Sequence, residues 1–276
     1  MVYSKLGFKI LESHFESLDL LNVKDVDLIV LHLLEKDFDK TKYSSCFVEK
    51  DNSAALSIST YKKWWRDIGN KTRNLVRKAE KSGLKCVIKS KLSKQDTLGI
   101  WKIFNETPIR QNRFAKYYGT KLNNVSGDAG NGVFFLTYKE SELVGYIHLI
   151  FSDINIAHIN TILSLNKCFE LAPNNFLISE VVKYCTKNNI TKITYARMNI
   201  PSLNKFKQNN GFVEEQAFVV IIPLTKKGNI AKILRLYKSP KDFIPNKIKP
   251  LFMPVFAFFS RLYAKIYVIV KKVKVD

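Results

Sequence analysis

The sequence predicts an α/β fold built on one sheet. Three observations predict it. Strand-period and helix-period segments alternate through the middle of the chain, and three strand candidates follow one another across two-residue turns. Hydrophobic residues make up 46% of the 276 positions, enough to fill a core.

The first 60 residues read as a small acidic segment in which Val26–Leu34 is apolar and Tyr43–Val48 and Ala54–Ser59 are short strands. Tyr61–Ser82 reads as one amphipathic helix. Trp64, Ile68, Thr72, Leu75 and Ala79 recur on one face, and Lys63, Arg66, Asn70, Arg73, Arg77 and Lys81 on the other, with Gly83 as C-cap. Leu84–Ser90 is a strand and Ser93–Glu106 a helix capped by Ser93, followed by the polar-aromatic stretch Pro108–Gly119 and the loop Gly127–Gly132. Val133–Tyr138, Leu143–Phe151 and Ile154–Leu163 are strands that turn at Lys139-Glu140 and Ser152-Asp153. Asn174–Lys187 is a helix with Pro173 at its start, Thr191–Ala196 a strand, Ser202–Gln208 a helix ended by Asn210-Gly211, and Val213–Leu224 the last strand.

Charge divides the chain unevenly. Residues 61–95 carry 12 Lys/Arg against 2 Asp/Glu and residues 224–276 carry 13 against 2, so these two segments supply the net charge of +21. A general lysine bias would spread along the chain, whereas these blocks are also poor in acid; they point to an anionic partner. Cys46, Cys86, Cys168 and Cys185 are scattered without a CxxC or Cys/His pair, which excludes a zinc-ligand pattern and fits a reducing compartment. Lys, Glu and His interrupt the N-terminal segment, and no run of 18 apolar residues occurs. A cytoplasmic protein is the expectation, docked at the inner face of a membrane if the tail binds lipid.

The order of elements over residues 84–224 resembles the GNAT acyltransferase fold: a mostly antiparallel mixed sheet flanked by helices. Leu203-Asn204-Lys205-Phe206-Lys207-Gln208-Asn209-Asn210-Gly211-Phe212 is similar to that family's last helix running into a Gly-Phe pair. Lys71-Thr72-Arg73-Asn74-Leu75-Val76-Arg77-Lys78-Ala79-Glu80-Lys81 resembles the basic helix that FemABX-like members carry before the core, and Asn105-Glu106-Thr107-Pro108-Ile109-Arg110-Gln111 has the look of the same group. On this resemblance residues 1–83 are an N-terminal lead-in, 84–224 the GNAT-like core and 225–276 a basic tail.

The resemblance implies transfer of an acyl or aminoacyl group to an amine. The donor would be acyl-CoA (acetyl-CoA) or aminoacyl-tRNA, with no metal, and the acceptor anionic, glycan- or lipid-linked. Acetyl-CoA users carry a glycine-rich turn before the third helix, where backbone N–H groups hold the pyrophosphate. Here Leu165–Asn175 has no glycine, which favours the aminoacyl-tRNA side. Four residues before Gly211, where many members place tyrosine, stands Lys207, as in the Phe-Lys variant of FemABX-like proteins. Lys207 and Tyr195 are therefore the candidate catalytic residues. Arg110, Arg113, Tyr118, Arg197 and Asn199 are the substrate-binding candidates, and Arg66, Arg73 and Arg77 the anion-binding ones. A solvated helix face would show the same basic spacing. His148 and His158 lack a nucleophile at recognisable spacing and read as hydrogen-bonded sheet histidines.

In the tail, Ile230, Ile233, Leu234 and Tyr237 form a helical stripe among Lys232, Arg235 and Lys238. Pro240, Pro245, Pro250 and Pro254 then break the chain before the aromatic-basic stretch Val255–Val270. This composition suits an anionic membrane surface, a tail packed back on the domain, or a tRNA contact. The competing class is a catalytically inactive GNAT-like basic module that binds RNA or an anionic membrane.

Overall fold

The computed structural model describes residues 2–13, 25–34, 38–110, 113–151 and 155–238, together with 255, 258, 259 and 262. In chain order the elements are β1 (Val2–Lys5), β2 (Phe8–Ser13), β3 (Leu28–Leu34), β4 (Phe47–Ser57), α1 (Tyr61–Asp67), α2 (Asn70–Lys81), β5 (Leu84–Lys89), α3 (Lys94–Asn105), β6 (Ile109–Arg110), β7 (Arg113–Phe114), β8 (Gly132–Lys139), β9 (Glu142–Phe151), β10 (Ile156–Ser164), α4 (Pro173–Lys187), β11 (Lys192–Thr194), α5 (Pro201–Asn209), β12 (Val213–Pro223) and α6 (Lys226–Ile233). Ten of these strands make one sheet in the order β1-β2-β3-β12-β4-β11-β10-β9-β8-β5. It is parallel only at β2–β3 and β10–β11. The predicted mixed, mostly antiparallel sheet is present, and β1–β4 add four strands to it from the first 57 residues.

The central core lies between the sheet and α4. Leu177, Ile178, Val181, Val182 and Cys185 of that helix are fully buried against Phe135, Ile147, Leu149 and Ile193. Each large side chain buried in this way stabilises the fold by about 1.5–3 kcal/mol. α3 starts at the predicted N-cap Ser93 and adds a capping box, with Ser93 accepting from the Asp96 N–H and Asp96 accepting from the Ser93 N–H.

Three expectations need correction. The helix over Tyr61–Ser82 is two helices: Ile68 and Gly69 are extended (ψ 147 and 155), so α1 and α2 meet at an elbow. Most of the predicted apolar face is retained, since Trp64, Ile68, Thr72 and Ala79 are buried and Leu75 half-buried beside the buried Val76, so periodicity alone did not expose the break. The strands read over Tyr43–Val48 and Ala54–Ser59 are one eleven-residue strand, β4, with Tyr43 in the turn before it. Asp51 and Asn52, which look like turn residues, sit inside the ladder opposite Ala217 and Gln216. The stripe Ile230, Ile233, Leu234 and Tyr237 does not lie on one helix: α6 ends at Ile233, and Tyr237 beyond it packs against the core of β2, β3 and β12. Ala231 and Leu236 are buried against β2, β3 and β12, while Ile230, Ile233 and Leu234 are exposed. The Ser152-Asp153 turn and most of the tail beyond Lys238 lie outside the described residues.

Candidate active-site cleft

β10 and β11 pair only from Ile156–His158 to Lys192–Thr194. Beyond that point β10 runs on to Ser164 beside β9, while Tyr195 and Ala196 stay bonded to Ala54 of β4 (2.8 Å each). The chain after β11 therefore leaves β10 and lines a cleft of about 420 Å³ over β3, β4 and β12. Lys207, Tyr195, Arg197 and Asn199 line it together.

Lys207 reaches this cleft because α5 folds back under it. Pro201 opens the helix at N1 and Asn210-Gly211 closes it, with Gly211 at φ 89, a left-handed conformation that favours glycine. The end of α5 is pinned from the elbow: Trp64 Nε1 donates to Asn210 O (3.0 Å) and Thr72 Oγ1 to Asn209 O (2.9 Å). With the helix so placed, Lys207 is only 2% exposed. Its Nζ donates to Tyr195 O (2.7 Å) and Arg197 O (2.8 Å) and lies 4.4 Å from the centre of the Tyr195 ring. Burial pulls its pKa down to about 8, so near neutrality it is a cation that gives up a proton readily. Burial pushes the Tyr195 phenol well above its usual value. Tyr195 thus serves Lys207 with a ring face and a carbonyl, and its hydroxyl is a poor acid.

Sequence reasoning missed two further residues of this cleft. Glu12 of β2 and His32 of β3 line the same cleft and are hydrogen-bonded at 2.9 Å. That bond holds the Glu12 carboxyl below its usual range, assisted by the charges of Arg197 and Lys116. A signal was present: His32 interrupts the otherwise apolar run Leu28–Leu34. The register that sets it beside Glu12 is tertiary. Arg197 also pairs with Asp51 (Nε–Oδ2 2.6 Å), and Asn52 Oδ1 accepts from the Met198 N–H (3.0 Å), so the polar residues inside β4 hold the cleft wall. His158 is buried, with Nδ1 2.9 Å from Thr194 Oγ1 and a pKa pushed down to about 3 by burial. His148 Nε2 lies 3.1 Å from Ala129 O. His158 is thus bonded within the sheet, and His148 to the loop before β8 and to Asn160 of β10 (3.2 Å).

The remaining candidates lie elsewhere. Arg110 on β6 donates to Ser164 O (2.7 Å) and Asn166 Oδ1 (3.4 Å), to Ile103 O, and to Glu106 Oε2 (3.2 Å). Glu106 in turn accepts from the Asn166 N–H (2.6 Å) and the Lys167 N–H (3.1 Å). The pair thus clamps the 3-10 turn Asn166–Leu171 that precedes α4. Arg113 pairs with Arg110 in the β6–β7 ladder, and Tyr118 packs edge-on against Phe114 (6.3 Å). At the elbow, Arg66, Arg73 and Arg77 share a second hollow with Lys62, Lys63 and Trp65. Arg73 is committed to the fold there, donating to the carbonyls of Trp65 (3.0 Å), Arg66 (2.9 Å) and Ile68 (2.6 Å) at the end of α1. Arg77 lies over the Trp65 ring at 5.5 Å, and Arg66 projects outward.

The fold has counterparts among solved structures. FemX superposes with a TM-score of 0.57 at 11% identity over 84% of each chain. L-PGS from Bacillus licheniformis superposes at 0.53 and 11% identity over 85% of this chain and 84% of that one. The C-terminal domain of a putative lysylphosphatidylglycerol synthetase from Agrobacterium fabrum does so at 0.51 and 10% identity, over 84% and 83%. The fold is the GNAT fold in its FemX-like form. No protein-family model matches the sequence, and no curated protein matches it. At these identities the likeness establishes the fold, over 83–84% of each of those chains.

Proposed function

We propose that this protein is an acyl or aminoacyl transferase of the FemX-like kind, moving the acyl group to an amine of an anionic, glycan- or lipid-linked acceptor. The observation that carries this reading is Lys207, a buried ammonium at a cleft, held by two carbonyls and a ring. When the acceptor amine adds to the donor carbonyl, the C–N bond forms and negative charge collects on the carbonyl oxygen. A fixed cation in a site of low polarity stabilises that charge better than water does. Collapse then breaks the acyl–oxygen or acyl–sulfur bond, and the proton lost by the amine leaves with the donor's departing group. Arg197, Asn199, Arg113 and Tyr118 are the proposed substrate contacts, Tyr195 positions Lys207, and Arg110 acts through the turn it clamps.

Of the two donors, aminoacyl-tRNA is the better fit. In acetyl-CoA users the turn before the helix equivalent to α4 offers its N–H groups to pyrophosphate. Here the Glu106 carboxylate already takes two N–H groups of that turn, at Asn166 and Lys167, and it would repel a second anion. Saturating charged tRNA is therefore expected to raise the melting temperature by several degrees, and acetyl-CoA to leave it unchanged. A shift with acetyl-CoA alone would reverse the donor assignment. No shift with either ligand removes the transferase reading.

The hollow at the elbow is the proposed seat for donor phosphates. Arg66→Glu with Arg77→Glu is expected to weaken tRNA binding at least tenfold and to flatten its salt dependence, measured by filter binding across a salt series. Arg73→Gln should instead lower the melting temperature, because the end of α1 loses its guanidinium cap.

A further inference from the structure

The outer face of α6 is an exposed apolar surface ringed by cations. Ile230, Ile233 and Leu234 are 49%, 73% and 55% exposed, although the same helix buries Gly228 and Ala231 on its inner side. Lys226, Lys227 and Arg235 are exposed around them, and no acidic residue occurs from Gln216 to Lys238. The β1–β2 turn is tied to the segment that follows α6, because Lys5 Nζ donates to the carbonyls of Leu236 and Lys238 (2.8 Å each). At the tip of that turn Leu6 is 80% exposed and holds a left-handed φ of 53, although leucine gains nothing from water there.

Two nearby acids are engaged: Asp27 by the Lys9 N–H (2.9 Å) and Thr225 Oγ1 (2.8 Å) at the start of α6, and Glu49 by Lys238 Nζ (2.7 Å). The further described residues Val255, Phe258, Phe259 and Leu262 are also exposed apolar side chains. An ordinary solvated helix turns such residues inward. α6 does the reverse while placing its lysines beside them.

We propose that α6 and the Leu6 turn form a docking surface for an anionic lipid bilayer, with Ile230, Ile233, Leu234 and Leu6 entering the headgroup region and the surrounding cations pairing with lipid phosphates. Charge complementarity selects this occupant: apolar side chains at the centre with lysine and arginine at the edge match the interfacial geometry of an anionic membrane. The surface adjoins the cleft through the chain itself. Tyr237, three residues after Leu234, lines the cleft and donates to Glu49 Oε1 (3.2 Å). Docking would hold the cleft beside the bilayer. Only in this respect does the inference lean on the transferase reading, by naming a membrane-borne acceptor.

The test is vesicle flotation of the full chain, which reads lipid binding without turnover. Binding is expected to vesicles containing about one-third phosphatidylglycerol, to fall severalfold with high salt, and to be at least tenfold weaker on pure phosphatidylcholine. Ile230→Glu/Ile233→Glu/Leu234→Glu is expected to reduce the bound fraction at least tenfold, and Lys226→Gln/Lys227→Gln to weaken binding severalfold. Both sets lie on the exposed face and should leave the melting temperature in place. Flotation unchanged by both sets overturns the proposal, as does a triple variant that abolishes a dimer seen by light scattering while the parent never floats. A protein that floats but shows no donor-dependent melting shift would retain the docking surface and lose the transferase.

Discussion

Lys207→Ala is expected to lower transfer by about 10²–10³-fold, as does loss of other preorganised charge at a developing oxyanion, with substrate affinity changed far less. Single-turnover rates with charged tRNA and an amine acceptor measure it. The pH dependence carries more information. With a pKa of about 8, Lys207 is an ammonium below that pH and neutral above it, so stabilisation of the oxyanion should be lost as pH rises through about 8. Lys207→Arg keeps a cation whose pKa lies far higher, so its alkaline limb should move out of the accessible range even if the rate is reduced. An unchanged limb in the arginine variant would assign that titration to another group and remove Lys207 from the chemistry. Lys207→Met separates structure from chemistry. It leaves the carbonyls of Tyr195 and Arg197 without their donor, a stability cost of about 1–3 kcal/mol that thermal melting detects.

Arg110→Met should be the most damaging change to stability among the candidate site residues. Arg110 and Glu106 are both largely buried, and removal of the guanidinium strands a carboxylate along with the carbonyls of Ile103 and Ser164. Breaking a buried pair by deleting one partner costs about 3–5 kcal/mol, which lowers the melting temperature by on the order of 10 °C in a chain of this size. Burial works against the Arg110 charge and Glu106 supports it, so Glu106→Gln should weaken the same clamp. The turn before α4 should loosen in both variants, visible as faster amide exchange at Asn166 and Lys167. If Arg110→Met melted with the parent but lost affinity for the acceptor, Arg110 would be a substrate contact and not a clamp.

Local patterns made most of the core legible. Apolar runs of strand length and the turn after β8 placed β8, β9 and β10, and the Ser93 N-cap, Pro173 and Gly83 placed helix ends within about two residues. Each of these signals depends only on neighbouring backbone and side chains. The elbow at Ile68-Gly69 was not legible, because both sides of the break continue the same apolar face. β4 was read in two parts because Asp51 and Asn52 resemble a turn until the partners that employ them, Arg197, Glu214 and Met198, are beside them.

The sequence by itself determined the alternation of elements, the mixed sheet, the concentration of positive charge in two segments, and Lys207 at the position that its Phe-Lys and Gly-Phe neighbours single out. The alternation and the charge are written in spacing along the chain, while the mixed sheet and Lys207 rest on the resemblance to the GNAT acyltransferases. Only the tertiary structure decided that Glu12 and His32 line the same cleft as Lys207, that Arg73 and Arg110 serve the fold, and that α6 turns isoleucine and leucine outward. Those outcomes depend on strand register, on which carbonyls a guanidinium finds, and on which face of a helix meets the sheet. Such contacts join residues far apart in sequence, and no local periodicity encodes them.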